Sequence, residues 1–380
     1  MSSEFYEDRE QTEVKHQILA RYLSAFVPIV GDWVSDIAYI DCLAGPWREA
    51  DPSLKDTSFS RALEVLRSTR KVLEARGKSP TMRCLFIEKN PQSFRKLEEF
   101  CASVSDIELT PKNWDFTART GDIVRFVKSR NKSFPFVFID PTGWEPLPDD
   151  LITPVLRLEP SEVLINLMTS WIRRFLSDET KNFERLLGPG VQRLRQLKGW
   201  EQEDEMVRMY AGKIAAAGNF KYTCTLPVLK PDQDAFHFYM IYATRHARGV
   251  EVFKETEKSV IPFMHETRAK AQERRRVAES GQYSLLPAEA RYQEHRFTDF
   301  QLRNLAIAKA KLMDMLRGAG RVPYDDAWFT MMQYSAVTDR DLKDWLDDWK
   351  SSGCLAFDNL GPNQRFPRKG ESQFLVWIGG

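Results

Sequence analysis

The sequence predicts an α/β fold: a seven-stranded, Rossmann-like sheet covered by helices, followed by a small winged-helix-like domain. Three observations carry this. Between residues 37 and 167, short apolar runs alternate with amphipathic segments, the pattern of an open parallel sheet buried on both faces. Two further apolar runs, 220–227 and 236–244, are separated only by Lys230-Pro231-Asp232-Gln233-Asp234 and the residues flanking it. So short a loop requires antiparallel pairing. Residues 300–380 read as three helices and then a hairpin, a winged-helix order.

The elements follow in turn. Val14, Ile18, Leu19, Tyr22, Leu23 and Phe26 form one apolar stripe, which predicts a helix over 12–27. Strands are predicted at 37–43, 83–87, 107–110, 135–139 and 162–167. Helices are predicted at 59–75, 91–101, 123–128 and 147–158, with Pro91 at the first turn of its helix. A polar helical insertion occupies about 170–201, broken at Gly188-Pro189-Gly190, and a helix follows at 203–217. The first domain therefore spans 1–265, residues 266–299 read as a charged linker or arm, and the last domain spans 300–380. In that last domain Leu302, Leu305, Ala306, Ala310, Leu312 and Met315 suggest a long helix. A short helix is read at 328–333, and Thr338 is a good N-cap for a third helix running to Lys350. Strands at 355–357 and 374–378 close the domain.

Composition excludes several classes. Apolar residues make up 42% and charged residues 29%, which supports real cores rather than a disordered tail. The net charge of +1 argues against a protein that is basic throughout, though a local basic groove fits within a neutral total. Arg268, Lys270, Arg274, Arg275 and Arg276 form such a cluster, readable as a solvated helix or as a nucleic-acid contact. No apolar stretch is long enough to span a membrane, and the acidic start lacks the form of a signal peptide. The five cysteines are scattered with no C-x-x-C pair, which fits a reduced cytoplasmic setting. The five histidines form no ligand pair, so no metal is expected. Neither a P-loop nor a nucleophile elbow occurs.

Candidate chemistry lies where strands end, since ligands of open α/β sheets bind outside the carboxyl ends. After the first strand come Asp41 and, in Asp41-Cys42-Leu43-Ala44-Gly45-Pro46-Trp47, a glycine permitting close backbone approach. The other reading of that segment is an ordinary turn. Glu88 ends the second strand with acceptors for two ribose hydroxyls, or else caps the next helix. After the third strand, Asp115 could accept from an adenine amine while Phe116 or Trp114 lies on the ring. Asp140 leaves an apolar strand into Pro141-Thr142-Gly143-Trp144. That turn resembles the Asp-Pro-Pro-aromatic turn of amino-methylating nucleic-acid methyltransferases, with Thr142 replacing the second Pro and Gly143 preceding the aromatic. Asp140 and Trp144 would orient an amine and stack on a flipped base. Asn166, Arg173 and Arg174 follow the fifth strand; Asn166 would face the reacting group and the arginines a substrate phosphate, or the arginines open a solvated helix.

Seven strands closed by a terminal hairpin form the arrangement expected of a class I S-adenosylmethionine methyltransferase. A nicotinamide-dependent domain would continue with a second parallel half. Taken together, Tyr39 to Pro46, Phe86-Ile87-Glu88, Phe138 to Pro141 with Gly143, the Asn166 turn with Arg173, and Tyr242 to His246 with Gly249 resemble the three-Cys-motif partner protein (TcmP) family. The likeness covers residues 10–265. It implies a methyltransferase-like fold, S-adenosylmethionine as cofactor, and a radical-S-adenosylmethionine-type partner bearing a three-cysteine motif. It implies no substrate. Family members usually carry Gly after Gly-Pro in the first loop; here Trp47 stands there, where its ring would narrow or cover the cofactor pocket.

The expected function is thus an S-adenosylmethionine-dependent methyltransferase acting on a nucleic acid. The alternatives are a non-catalytic docking platform and a cofactor-sensing nucleic-acid binder.

Overall fold

A computed structural model describes residues 6–45, 54–141, 147–178, 183–283, 287–288, 292 and 294–379. The chain divides into two compact units, Met1–Gln293 and Glu294–Gly380.

The first unit is built on β1 (Asp36–Asp41), β2 (Thr81–Ile87), β3 (Glu108–Lys112), β4 (Ser133–Ile139), β5 (Glu162–Leu167), β6 (Tyr222–Leu229) and β7 (Phe236–Thr244). Their order across the sheet is β3-β2-β1-β4-β5-β7-β6. The first five run parallel, and β7 pairs antiparallel with both β5 and β6. This is the seven-stranded, class I methyltransferase-like sheet with its hairpin at one edge. β1 and β4 are buried along their whole length, which is why they read as continuous apolar runs rather than alternating ones.

Around the sheet lie α1 (Glu10–Gly31), α2 (Ser58–Ala75), α3 (Pro91–Ala102), α4 (Thr120–Lys128) and α5 (Asp149–Leu156). The expected insertion resolves into α6 (Thr169–Phe175), α7 (Phe183–Leu187) and α8 (Val191–Gln196), followed by α9 (Gly199–Gly218). Local chemistry sets several starts. Thr57 accepts from the Ser60 amide at α2, and Asn90 accepts from the Gln92 and Ser93 amides ahead of Pro91 at α3.

Helix α1 runs past Pro28, where the sequence pattern stops, because Val30 is still buried. It packs against α2 and α10 (Ala247–Ser280). Tyr22 of α1 stacks on Phe136 of β4 with ring centroids 5.4 Å apart.

The stretch that reads as a patternless linker continues α10 as far as Ser280. Thr267, Arg268, Ala269 and Ala271 are buried there. Arg268 donates to the Lys230 and Gln233 carbonyls at 2.7 and 2.9 Å. Arg274 pairs with Glu10 at 2.6 Å, and Arg275 with Asp232 at 3.4 Å and Asp8 at 3.7 Å. Lys270 pairs with Glu266, and Arg276 with Glu273. The basic cluster is therefore engaged by acids and carbonyls of its own unit. Helical periodicity was masked because long basic side chains occupy positions that pack through their stems and pair at their tips.

The second unit comprises α11 (Arg296–Ala319), β8 (Arg321–Pro323), α12 (Tyr324–Met332), α13 (Asp339–Ser351), β9 (Leu355–Asp358) and β10 (Phe374–Trp377). Its antiparallel sheet has the order β8-β10-β9, so the expected hairpin gains a third, short strand. Thr338 and Asp341 form a reciprocal capping box at α13. Leu342, Trp345, Leu346 and Trp349 are buried, as their spacing predicts. The stripe expected on α11 holds at Leu312 and is otherwise displaced. Ala308, Leu312 and Leu316 face inward, whereas Leu302 is 60% exposed.

Candidate functional site

The strand register brings the candidate residues to one edge of the sheet. Asp41 pairs across from Phe86 on one side and Phe138 on the other, and Ile139 lies opposite Ile165. Asp41, Glu88, Asp140 and Asn166 therefore stand in a row at the carboxyl ends of β1, β2, β4 and β5. All four are buried.

Asp41 is held by three donors. The Ser58 hydroxyl donates at 2.7 Å, the Leu43 amide at 3.2 Å and the Tyr39 hydroxyl at 3.3 Å. Burial pushes its carboxyl up to about 7; the nearby Asp140 charge adds to the rise, and the Ser58 and Leu43 hydrogen bonds oppose it. The group thus changes charge near neutral pH.

The loop after β1 is stitched to β2. The Ala44 amide donates to the Ile87 carbonyl at 2.8 Å, and the Gly45 backbone lies near enough to the Glu88 carboxyl to oppose the rise of its pKa. Glu88 accepts from the Asn90 amide at 2.5 Å, and burial raises its carboxyl against that bond and the nearby Lys89 charge. Asn113 ties the end of β3 to the same place, donating to the Glu88 carbonyl at 2.8 Å. Asp41, Gly45 and Glu88 are thus one connected surface.

Asp115 has a local role. It caps the 3-10 turn Phe116–Arg119, accepting from the Thr117 amide at 3.0 Å and hydroxyl at 2.7 Å. Those bonds hold its carboxyl below the usual range. Phe116 is buried.

At the ends of β4 and β5 the structure adds a residue the sequence reading missed. Lys15 of α1 forms an ion pair with Asp140; the two residues are 8% and 7% exposed. Its ammonium also lies 5.9 Å from the centre of the Phe238 ring. The one sequence signal is phase: Lys15 shares a helix face with Leu19, Tyr22 and Phe26, where a solvated lysine does not belong. Asn166 donates through Nδ2 to Asp140 at 2.7 Å. Its Oδ1 is buried and has no hydrogen-bond partner among the described residues. His237, at the start of β7, sits 3.5 Å from the Ser170 hydroxyl. Burial, with the charges of Lys230 and Lys15, lowers its imidazole to about 4.

Arg173 is turned toward Glu203, 3.4 Å away, which also accepts from Thr169 at 3.2 Å. Glu203 is fully buried, so Arg173 serves to compensate it; Arg173 and Arg174 are both exposed. Trp47 and Trp144, with Pro46, Thr142 and Gly143, lie outside the described residues. Among the described residues no group of three or more His, Cys, Asp or Glu side chains is placed to hold a metal, and no helix is long and apolar enough to cross a membrane.

No family model matches the chain, and no curated protein matches it. Among solved structures it is similar to LPL1258 from Legionella pneumophila str. Philadelphia 1, of the family DUF519. That match has 8% identity, covers 64% of this chain and 86% of the other, and has a TM-score of 0.34. It is also similar to a loganic acid methyltransferase with SAH, at 9% identity over 73% of this chain and 91% of the other, TM-score 0.30. Such distant matches add nothing on activity, and the class of protein rests on the strand order: a class I methyltransferase-like fold.

Proposed function

We propose that the chain is an S-adenosylmethionine-dependent methyltransferase whose acceptor is a nucleic acid. The observation that carries this reading is the continuous surface formed by Asp41, the Gly45 loop and Glu88 beside Asp140 and Asn166. Asp41, when ionised, suits the ammonium of the methionine part. The backbone of the Gly45 loop suits close approach, and Glu88 suits the ribose hydroxyls. Methyl transfer needs in-line approach and exclusion of water more than a strong base, and this edge supplies buried, pre-oriented polar groups.

Calorimetric titration with S-adenosylmethionine tests the reading. Wild type should bind, and Glu88→Ala should bind more weakly by about 1–3 kcal/mol, because ribose hydroxyls and the Asn90 amide lose their acceptor. Glu88→Gln keeps part of that capacity and should fall between. Absence of binding by the wild type would sink the cofactor assignment. A second reading, a non-catalytic docking platform, draws on the Lys15–Asp140 pair, which occupies the acceptor side of the site. Binding without transfer of labelled methyl to any oligonucleotide would favour it.

A further inference from the structure

We infer that the buried Oδ1 of Asn166 is the acceptor for an N–H of the methyl acceptor, a neutral exocyclic amine of a nucleobase, and that Lys15 is the positioning residue that keeps it so. This rests on the methyltransferase reading above and deepens it.

Lys15 sets the arrangement. Its ion pair with Asp140 makes that carboxylate an acceptor only. Asn166 must then turn its NH₂ group toward Asp140, as the 2.7 Å contact shows. The amide is planar, so its oxygen is directed away from Asp140. There it meets no donor among the described residues, although Asn166 is 3% exposed. A buried acceptor left without a donor costs stability unless a ligand supplies one. The helix α1 thus dictates, through two hydrogen-bonded groups, which end of Asn166 faces the site.

The charge of Lys15 selects among donors. It already compensates Asp140, so a cationic acceptor such as a protein lysine would find no free Asp140 carboxylate to balance its charge. A neutral conjugated amine, as on adenine or cytosine, meets no such repulsion. It has one hydrogen for Asn166 Oδ1 and a second to lose when the methyl is transferred. The sulfonium carbon–sulfur bond breaks, the nitrogen–carbon bond forms, and the proton leaves the nitrogen to water.

The test removes the amine and nothing else. Short single-stranded oligothymidylates, in ribose and deoxyribose forms, carry one central adenine or its amine-free analogue purine. A second pair carries cytosine or 2-pyrimidinone. Affinity is measured for the full chain with S-adenosylhomocysteine present. The amine should strengthen binding about tenfold in at least one pair, the usual discrimination of a base-edge contact. Asn166→Leu should erase that ratio. Lys15→Gln should reduce it severalfold, and Lys15→Arg should restore it; a merely structural lysine would alter stability and leave the ratio alone. Calorimetry of the same variants with S-adenosylmethionine reports separately on the cofactor site. Equal affinity within both pairs, no oligonucleotide binding, or methyl transfer to a peptide glutamine amide instead would overturn the inference. So would an unchanged ratio in folded Lys15→Gln.

Discussion

The hydroxyl of Ser58, at the first residue of α2, donates to the buried carboxyl of Asp41 at the last residue of β1 over 2.7 Å. The start of the helix and the end of the strand are therefore joined at the atom expected to receive the cofactor's ammonium. That atom is also the one whose charge changes near pH 7.

Cofactor affinity should follow this titration. If ionised Asp41 holds the ammonium, S-adenosylmethionine should bind roughly tenfold more tightly at pH 8 than at pH 6, as the carboxylate forms through about 7. Asp41→Asn should bind weakly with a flat profile. Stability should move the other way. The folded state holds this proton more tightly than the unfolded chain, so the contribution is full below about pH 4 and lost as pH rises through about 7. Urea unfolding at pH 5 and pH 8 should show a smaller drop for Asp41→Asn than for wild type. Parallel pH profiles for the two proteins would refute the assignment.

The Lys15–Asp140 pair should be strongly coupled. Lys15→Met leaves a buried carboxylate uncompensated and should cost about 3–5 kcal/mol. Asp140→Asn strands the ammonium and should also destabilise. The double variant Lys15→Met/Asp140→Asn removes both charges and should recover most of the loss. Simple additivity of the two single effects in urea unfolding would contradict this.

Helix α10 should bind nucleic acid poorly while its partners are present. Arg274 faces Glu10 and Glu7 at 2.6 and 4.0 Å, and Arg275 faces Asp8 at 3.7 Å. Replacing Glu7, Asp8 and Glu10, together with Asp232, which also pairs with Arg275 at 3.4 Å, by their amides frees two guanidinium groups. Non-specific duplex affinity should rise, and the salt dependence should steepen by about two units of slope, near one per phosphate contacted. Fluorescence anisotropy across a salt series measures this; an unchanged slope would show that the face is closed for another reason.

Gly249 should tolerate no side chain. A Cβ there would meet the Tyr242 hydroxyl, Glu162 Oε1 at 2.6 Å and Thr244 Oγ1 at 2.8 Å. Those three atoms belong to one buried network with Tyr22, which donates to Glu162 and lies 2.6 Å from the Tyr242 hydroxyl. Gly249→Ala should destabilise by about 1–3 kcal/mol. Adding Tyr242→Phe, which removes the nearest obstructing atom, should recover part of that. A neutral Gly249→Ala in thermal unfolding would mean that the network can shift.

Much of the candidate site was legible because its residues sit at element ends. An acid leaving an apolar strand, as at Asp41, Glu88 and Asp140, is visible from neighbours in the chain, and so are the Asn90–Pro91 and Thr338–Asp341 helix starts. Position at a strand end did not reveal use. Asp115 also caps its own turn and Arg173 also pairs with Glu203, contacts set by packing that no strand-end position announces.

What the sequence by itself determined is therefore the order of elements, the parallel sheet with its terminal hairpin, and the row of polar residues at the carboxyl edge. These follow from periodicity and turn chemistry, which act over a few residues. Only the tertiary structure decided that Lys15 closes on Asp140, that Asn166 thereby turns its oxygen inward, and that the basic end of α10 is matched by the acidic start of α1. Those outcomes join groups far apart in the chain. A buried charge or amide takes whichever complementary partner the packed core brings within hydrogen-bond reach, and no local pattern specifies that partner.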